Sequence, residues 1–327
     1  MLPTALAIGA KTRQNDLDVA VQFSFWTGIN ASSADNLNGS GASNGGLGYS
    51  SLNIRQSFLS FGDASWGTVK AGRDLGVFGS DAILSDMTLL GVGSNAGSTG
   101  SSTLGRIGSG YLYADWLAQL QYQTPNFNGF QATVAVQEAL GQVDNSNLGY
   151  AGKVTYDFAA NDVTGRVWVG GVTTKRQNGA AARGADGLAV SASEVTADAY
   201  EVGAKVAYQG AELVGYYYDG QNMDGGVGQF PGSTFAGAAI AETKNSGGYV
   251  QGTFKLPTIG TKLGASWGVN NIGAASREAW IVGAYHPLTK SVNLVAEYNN
   301  LETDTGVAGA NATGKARTVS LGAILFF

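Results

Sequence analysis

Apolar and polar residues alternate strictly along much of this chain. From residue 17 the odd positions are Leu17, Val19, Val21, Phe23 and Phe25, and the even ones Asp18, Ala20, Gln22 and Ser24. After Gly129 the set Phe130, Ala132, Val134 and Val136 opposes Gln131, Thr133, Ala135 and Gln137. Near residue 200, Tyr200, Val202, Ala204, Val206 and Tyr208 oppose Glu201, Gly203, Lys205, Ala207 and Gln209. A two-residue period puts each set on one face of a β-strand, whereas a helix would scatter it around its circumference. Fifteen such segments can be read, near 2–11, 16–27, 51–61, 67–75, 110–123, 129–140, 148–158, 163–174, 196–209, 211–219, 246–256, 262–270, 277–286, 291–301 and 316–327.

The connections alternate in length. Short ones lie near 62–66, 124–128, 159–162, 209–211, 257–261 and 287–290. Long ones, rich in Gly, Ser, Asn and Ala, lie near 30–50, 77–108, 175–195, 220–244, 270–277 and 302–315. Tight turns at one end and long loops at the other predict an antiparallel up-and-down sheet. The polar faces carry Lys153, Arg166, Lys205, Lys255, Lys262, Asp18, Asp157, Glu201 and Glu297. Aromatic residues fall near strand ends, at Trp26, Trp66, Tyr122, Phe127, Tyr156, Phe158, Tyr208 and Tyr285. Girdles at two lipid–water boundaries would put them there.

Composition sharpens the choice between a soluble sandwich and a membrane barrel. Charged residues are 13% of the 327, glycines number 50, and apolar residues make 44%. No run of about 18 apolar residues occurs, so a membrane-spanning helix is excluded. Low charge with pervasive alternation predicts an all-β transmembrane barrel, with lipid outside and water inside. Bacterial single-chain barrels have even strand numbers. The fifteen readable strands therefore predict about sixteen, one of them upstream of residue 1, and residues 1–10 read as strand rather than as the end of a secretory signal. The whole of 1–327 reads as one barrel domain.

A net charge of −5 gives no electrostatic case for nucleic acid. With no cysteine and one histidine, His286, neither thiol catalysis nor a His/Cys metal site is expected, and no cofactor is called for. His286 precedes Pro287 and reads as a surface turn residue. Gly225-Gly226-Val227-Gly228 reads as a flexible loop, because no strand-to-helix switch surrounds it.

Three segments carry a family resemblance. The chain ends Thr318-Val319-Ser320-Leu321-Gly322-Ala323-Ile324-Leu325-Phe326-Phe327, which resembles the C-terminal signature of Gram-negative outer-membrane proteins. The run Phe58 to Arg73, with Gly67-Thr68-Val69-Lys70-Ala71-Gly72-Arg73, resembles a strand–turn–strand of the general trimeric porins. Tyr122, Thr124, Pro125, Phe127, Gly129 and Phe130 resemble the next hairpin's motif. The resemblance implies a sixteen-stranded barrel in the outer membrane of a Gram-negative bacterium, assembled as a homotrimer. It implies a water-filled channel for passive diffusion of small polar solutes and ions, and no enzyme. It further implies contact with outer-membrane lipids and with the barrel assembly machinery, which reads Phe327.

In that family the third loop folds inward and narrows the channel, and here 77–108 takes its place. Residue-by-residue transfer gives Asp86 and Asp81 as loop acids and Arg73 and Arg106 as wall arginines. By parity Lys70 points inward and Arg73 outward, so the assignment of Arg73 rests on the resemblance. Arg55 fits either face. Lys153, Arg166, Lys205 and Glu201 read as lumen wall. Two departures stand out. The family's second loop acid is absent from Thr88-Leu89-Leu90-Gly91, and its wall arginine is absent from Ala5 to Lys11. Losing an acid while keeping bases predicts a weak preference for anions. Alternatives are a channel specific for small organic acids, amides or sugars, a soluble all-β binding module, and an outer-membrane hydrolase. A sugar channel would line its wall with aromatics, and inward aromatics read as few, led by Trp168 and Trp280.

Overall fold

The computed structural model describes residues 4–27, 52–93, 105–139, 147–177, 194–223, 243–306 and 313–327. The expected long connections 30–50, 175–195 and 220–244 fall largely outside these residues, as do Gly225–Gly228, residues 94–104 and residues 307–312. Fifteen strands form one sheet: β1 (Thr4–Gln14), β2 (Leu17–Thr27), β3 (Leu52–Asp63), β4 (Gly67–Leu75), β5 (Trp116–Gln123), β6 (Phe130–Glu138), β7 (Leu148–Ala160), β8 (Val163–Gln177), β9 (Glu194–Tyr208), β10 (Ala211–Gln221), β11 (Lys244–Lys255), β12 (Lys262–Ile272), β13 (Ala275–Pro287), β14 (Val292–Asp304) and β15 (Thr313–Leu325). Each is antiparallel to its neighbour in chain order, giving an up-and-down barrel wall from β1 to β15. Among the described residues β1 and β15 are the terminal strands of this sheet and do not pair with each other.

The short turns follow from their residues. Asn15 and Asp16, with φ of 48° and 62°, join β1 to β2. Asn and Asp tolerate this left-handed region better than other side-chain-bearing residues. Gln209 and Gly210 do the same between β9 and β10. One expected long connection is corrected. Residues 270–277 are not a loop, because β12 runs to Ile272 and β13 starts at Ala275, with Gly273 at φ 56° in the turn. Asn270, the last residue of the expected strand 262–270, is a buried ladder residue whose amide serves the barrel interior. His286 is likewise a strand residue of β13, with Nδ1 2.8 Å from Thr261 Oγ1, and not a turn residue.

The outward parity stays exposed and apolar. Val134, Val169, Val202 and Val250 are each about half exposed, and Leu213 is 67% exposed. So large an apolar surface would be an aggregation liability in water, whereas lipid tails cover it without penalty. Trp66, Tyr122, Phe130 and Tyr156 gather at the short-turn end. There the Tyr122 hydroxyl donates to Trp66 O, and the Phe130 and Tyr156 rings stack at 4.2 Å. Two expected girdle residues belong elsewhere. Tyr285 faces inward and donates to Glu297, and Trp26 packs on Arg55. Trp280 is corrected in the opposite sense: it is exposed on the outer face, 5.0 Å from the Tyr298 ring.

Candidate functional site

Within the barrel, the connection from β4 to β5 supplies the chemistry. It leaves the wall at Gly76, forms helix α1 (Ser80–Ser85), and returns through 105–115 to β5. β5 thus starts at Trp116, later than the expected residue 110, because the preceding residues belong to this inward segment. Glycines allow the close approaches. A Cβ on Gly91 would fall inside the Glu297 carboxylate, and Gly93, Gly105 and Gly108 hold positive φ.

The segment is bonded to one long arc of the inner wall. Gly79 N donates to both carboxylate oxygens of Glu201 on β9, at 3.1 and 3.0 Å. The Ala82 carbonyl accepts from the Tyr249 hydroxyl of β11 at 2.8 Å. Gln251, also on β11, accepts from Met87 N at 2.7 Å and donates to Ser85 O at 3.0 Å. At the far end Val92 N and Gly93 N donate to Glu297 on β14, at 2.6 and 2.8 Å. On the return, Gly110 N donates to Asn270 on β12 at 2.9 Å. An irregular backbone inside a barrel must satisfy its polar groups somewhere, and these wall side chains supply partners.

Beneath the segment lies a chain of rings. Trp168 of β8 neighbours Tyr216 of β10 (6.4 Å), Tyr216 neighbours Tyr249 (5.8 Å), and Tyr249 neighbours Tyr111 of the segment (5.8 Å, edge-on). All four are at most 5% exposed. This corrects the expectation that inward aromatics are few. Parity on β10 and β11 contained the signal, but the run Tyr216-Tyr217-Tyr218 puts rings on both faces and obscures it. The rings are covered by the segment and act as its seat, so they do not form an open solute track.

Asp81 is enclosed between Lys153 (2.5 Å) and Arg166 (2.9 Å), and Arg166 also forks onto Asp157 at 2.6 and 2.7 Å. Lys205 stands beside Arg166 across the β8–β9 ladder. Asp86 is 5% exposed and ties the segment to itself, accepting from Thr88 N and Oγ1, Arg106 N and the Tyr111 hydroxyl. Arg106 is fully buried, donating to Ser266 Oγ on β12, Ala279 O on β13 and Ser109 O. Burial pushes its guanidinium below the ordinary value, and the nearby Asp86 carboxylate opposes that shift.

Lys70 pairs with Asp74 at 2.6 Å, which also accepts from Gln56, and Lys70 lies 4.8 Å from the Phe58 ring. Arg55 is the extra residue where the β2–β3 register shifts, a bulge that re-aims its side chain. Its Cζ lies 4.1 Å from the Trp26 ring and 5.8 Å from that of Trp116. Arg73 sits opposite Ser57 and Ala118, on the register opposite to Lys70. The structure therefore unites Asp86 with Arg106, and Asp81 with Lys153 and Arg166, and leaves Arg73 apart from both. Sequence reasoning missed Gln251, Ser266 and Asn270 as partners of the segment, and it read Glu297 only as a wall charge. Their shared signal was a polar side chain at inward parity.

A barrel with an apolar outside, a polar inside and an interior segment bonded to its wall is the architecture of an outer-membrane channel. A family model described as Gram-negative porin matches residues 6–306, and the chain belongs to that family. It is an outer-membrane porin, a channel for passive diffusion of solutes. The fold is similar to that of Vibrio cholerae OmpT, in vitro folded and in trimer form (14% identity, TM-score 0.63, covering 100% of this chain and 92% of that one). It is also similar to Salmonella typhi OmpF in complex with daunomycin (16%, 0.63, 99% and 91%) and to Pseudomonas putida OprB (10%, 0.60, 98% and 87%). No curated protein matches the sequence.

Proposed function

We propose that this porin is a general diffusion channel, without catalytic activity, whose narrowest passage runs beside the inward segment, of which 77–93 and 105–108 are described. The observation that carries this reading is the line of bonds from Glu201 to Glu297, which holds the segment across the interior rather than over the mouth. A passage narrowed in this way admits small hydrated solutes and selects by width and local field. Asp81 and Asp86 are neutralised or enclosed, whereas Lys205, Lys255 and Lys262 stand on inward registers. The balance supports a weak preference for anions. Lys70 and Arg55 belong to the β2–β5 side of the interior; Asp81, Asp86 and Arg106 shape the segment itself, and Lys153, Arg166 and Glu201 form the wall it rests on.

The trimer form of the similar OmpT supports a homotrimer here. Phe327, fully exposed at the chain end, is proposed as the assembly signal. Planar-bilayer recording of the purified protein tests the channel reading. Discrete steps in KCl are expected, with a reversal potential in a salt gradient displaced modestly to the anion side. Absence of steps from properly folded protein would refute the channel, and a strong cation preference would refute the selectivity.

A further inference from the structure

The inward segment hides its charges and shows leucines. Asp81, Ala82, Ile83, Ser85, Asp86, Met87 and Thr88 are all buried, whereas Leu84 is 63% exposed and Leu90 is 50% exposed. The bonding explains the split. Asp81, Ala82 and Ser85 turn toward Lys153, Tyr249 and Gln251 on the wall, which leaves Leu84 on the side away from it. Leu90 follows Leu89, which packs against the buried cluster, and precedes Gly91, which lies against Glu297. Both exposed leucines thus belong to an element whose other side is fixed to the barrel interior.

We propose that Leu84 and Leu90 form an apolar lip on the passage. With it, the channel favours small solutes that carry a compact aliphatic group beside a polar one over fully polar solutes of the same shape. This rests on the reading above, in which the passage runs beside this segment. Two exposed leucines inside a wet lumen keep apolar area in contact with water, and a transiting aliphatic group relieves that contact. The lip offers no opposing carboxylate, because Asp81 and Asp86 face away from it or are enclosed. Meanwhile Gln22, Gln56 and Lys70, the last two bound to Asp74, are partly exposed on the inner faces of β2, β3 and β4 and present amide groups and a charge pair to the polar end of the same solute.

Valine and threonine test this, since they share charge and shape and differ by a methyl against a hydroxyl. Their influx into liposomes holding the intact protein is measured side by side, so that their ratio does not depend on how much protein inserts. Shielding about one methyl gives valine an advantage of about threefold. Leu84→Ser with Leu90→Ser should bring the ratio to about one, and Leu84→Ile with Leu90→Ile should retain it. A wild-type ratio of one overturns the proposal whether or not the variants assemble, and so does a preference that survives the serine pair. Absence of KCl conductance in the same liposomes would instead sink the channel reading on which the proposal rests.

Discussion

Arg106→Glu separates two roles for this arginine. Read from sequence as a wall charge, its reversal should shift ion preference and leave the protein otherwise intact. The structure makes it a strut. Its guanidinium has no exposed area and donates to Ser266 Oγ, Ser109 O and Ala279 O, joining the return limb of the segment to β12 and β13. Losing a buried charged donor costs about 1.5–3 kcal/mol per well-made bond, partly recovered by relaxation. A glutamate there also places a carboxylate against two carbonyl oxygens and near Asp86, so about 3–5 kcal/mol is expected. Arg106→Met removes the donors without adding repulsion and should cost about 2–3 kcal/mol. Because the strut holds the segment rather than the strands, the loss should appear first as local release. The assay is limited proteolysis of the segment in detergent-solubilised protein, with single-channel recordings of the same preparation. Faster cleavage within 105–115 and noisier open levels are expected for Glu, and milder effects for Met. Native protease resistance with a clean shift in reversal potential would refute the strut.

Other perturbations follow from the same geometry. Gly91→Ala would put a methyl within the Glu297 carboxylate, 1.8 Å from Oε1, so it should detach that end of the segment and produce fluctuating conductance levels in bilayer recordings. Asp81→Asn removes the partner that Lys153 and Arg166 share, and reversal potentials should move further toward anions; no movement would count against this pair facing the passage. Tyr249→Phe loses one bond to Ala82 O and keeps its ring seat, so thermal unfolding should register a loss of only about 1 kcal/mol. Val202→Arg on the outer face should cost about 2–4 kcal/mol on refolding into bilayers, a cost absent if that face did not meet lipid.

The wall was legible because parity is a strong constraint: a one-residue slip would turn every side chain to the wrong face. Fifteen strands were readable, β3 only with weak alternation around Arg55, and the largest boundary error fell at β5, where Tyr111 and Tyr113 mimic strand alternation inside the segment. The β12–β13 turn was misread for a physical reason. Composition marks Asn271 and Gly273 as loop-like, yet the ladder continues through Asn271 and Ile272, which pair with both β11 and β13. The charges were harder. Sequence locates Asp81, Asp86 and Arg106 near the passage but cannot say whether a charge looks into water or braces a loop. That depends on contacts over more than 70 positions, such as Lys153 to Asp81, or 160, such as Arg106 to Ser266.

The line of bonds from Glu201 to Glu297 also has a mechanical consequence. A hollow cylinder one sheet thick flattens easily under sideways load, because hydrogen-bonded strands resist stretching far better than bending. A member fixed at β9 and again at β14 works like a chord across that curve, so ovalising the cylinder must first lengthen or buckle the chord. Bore width and segment attachment are thereby coupled, and whatever loosens one end of the chord also softens the rim that surrounds it.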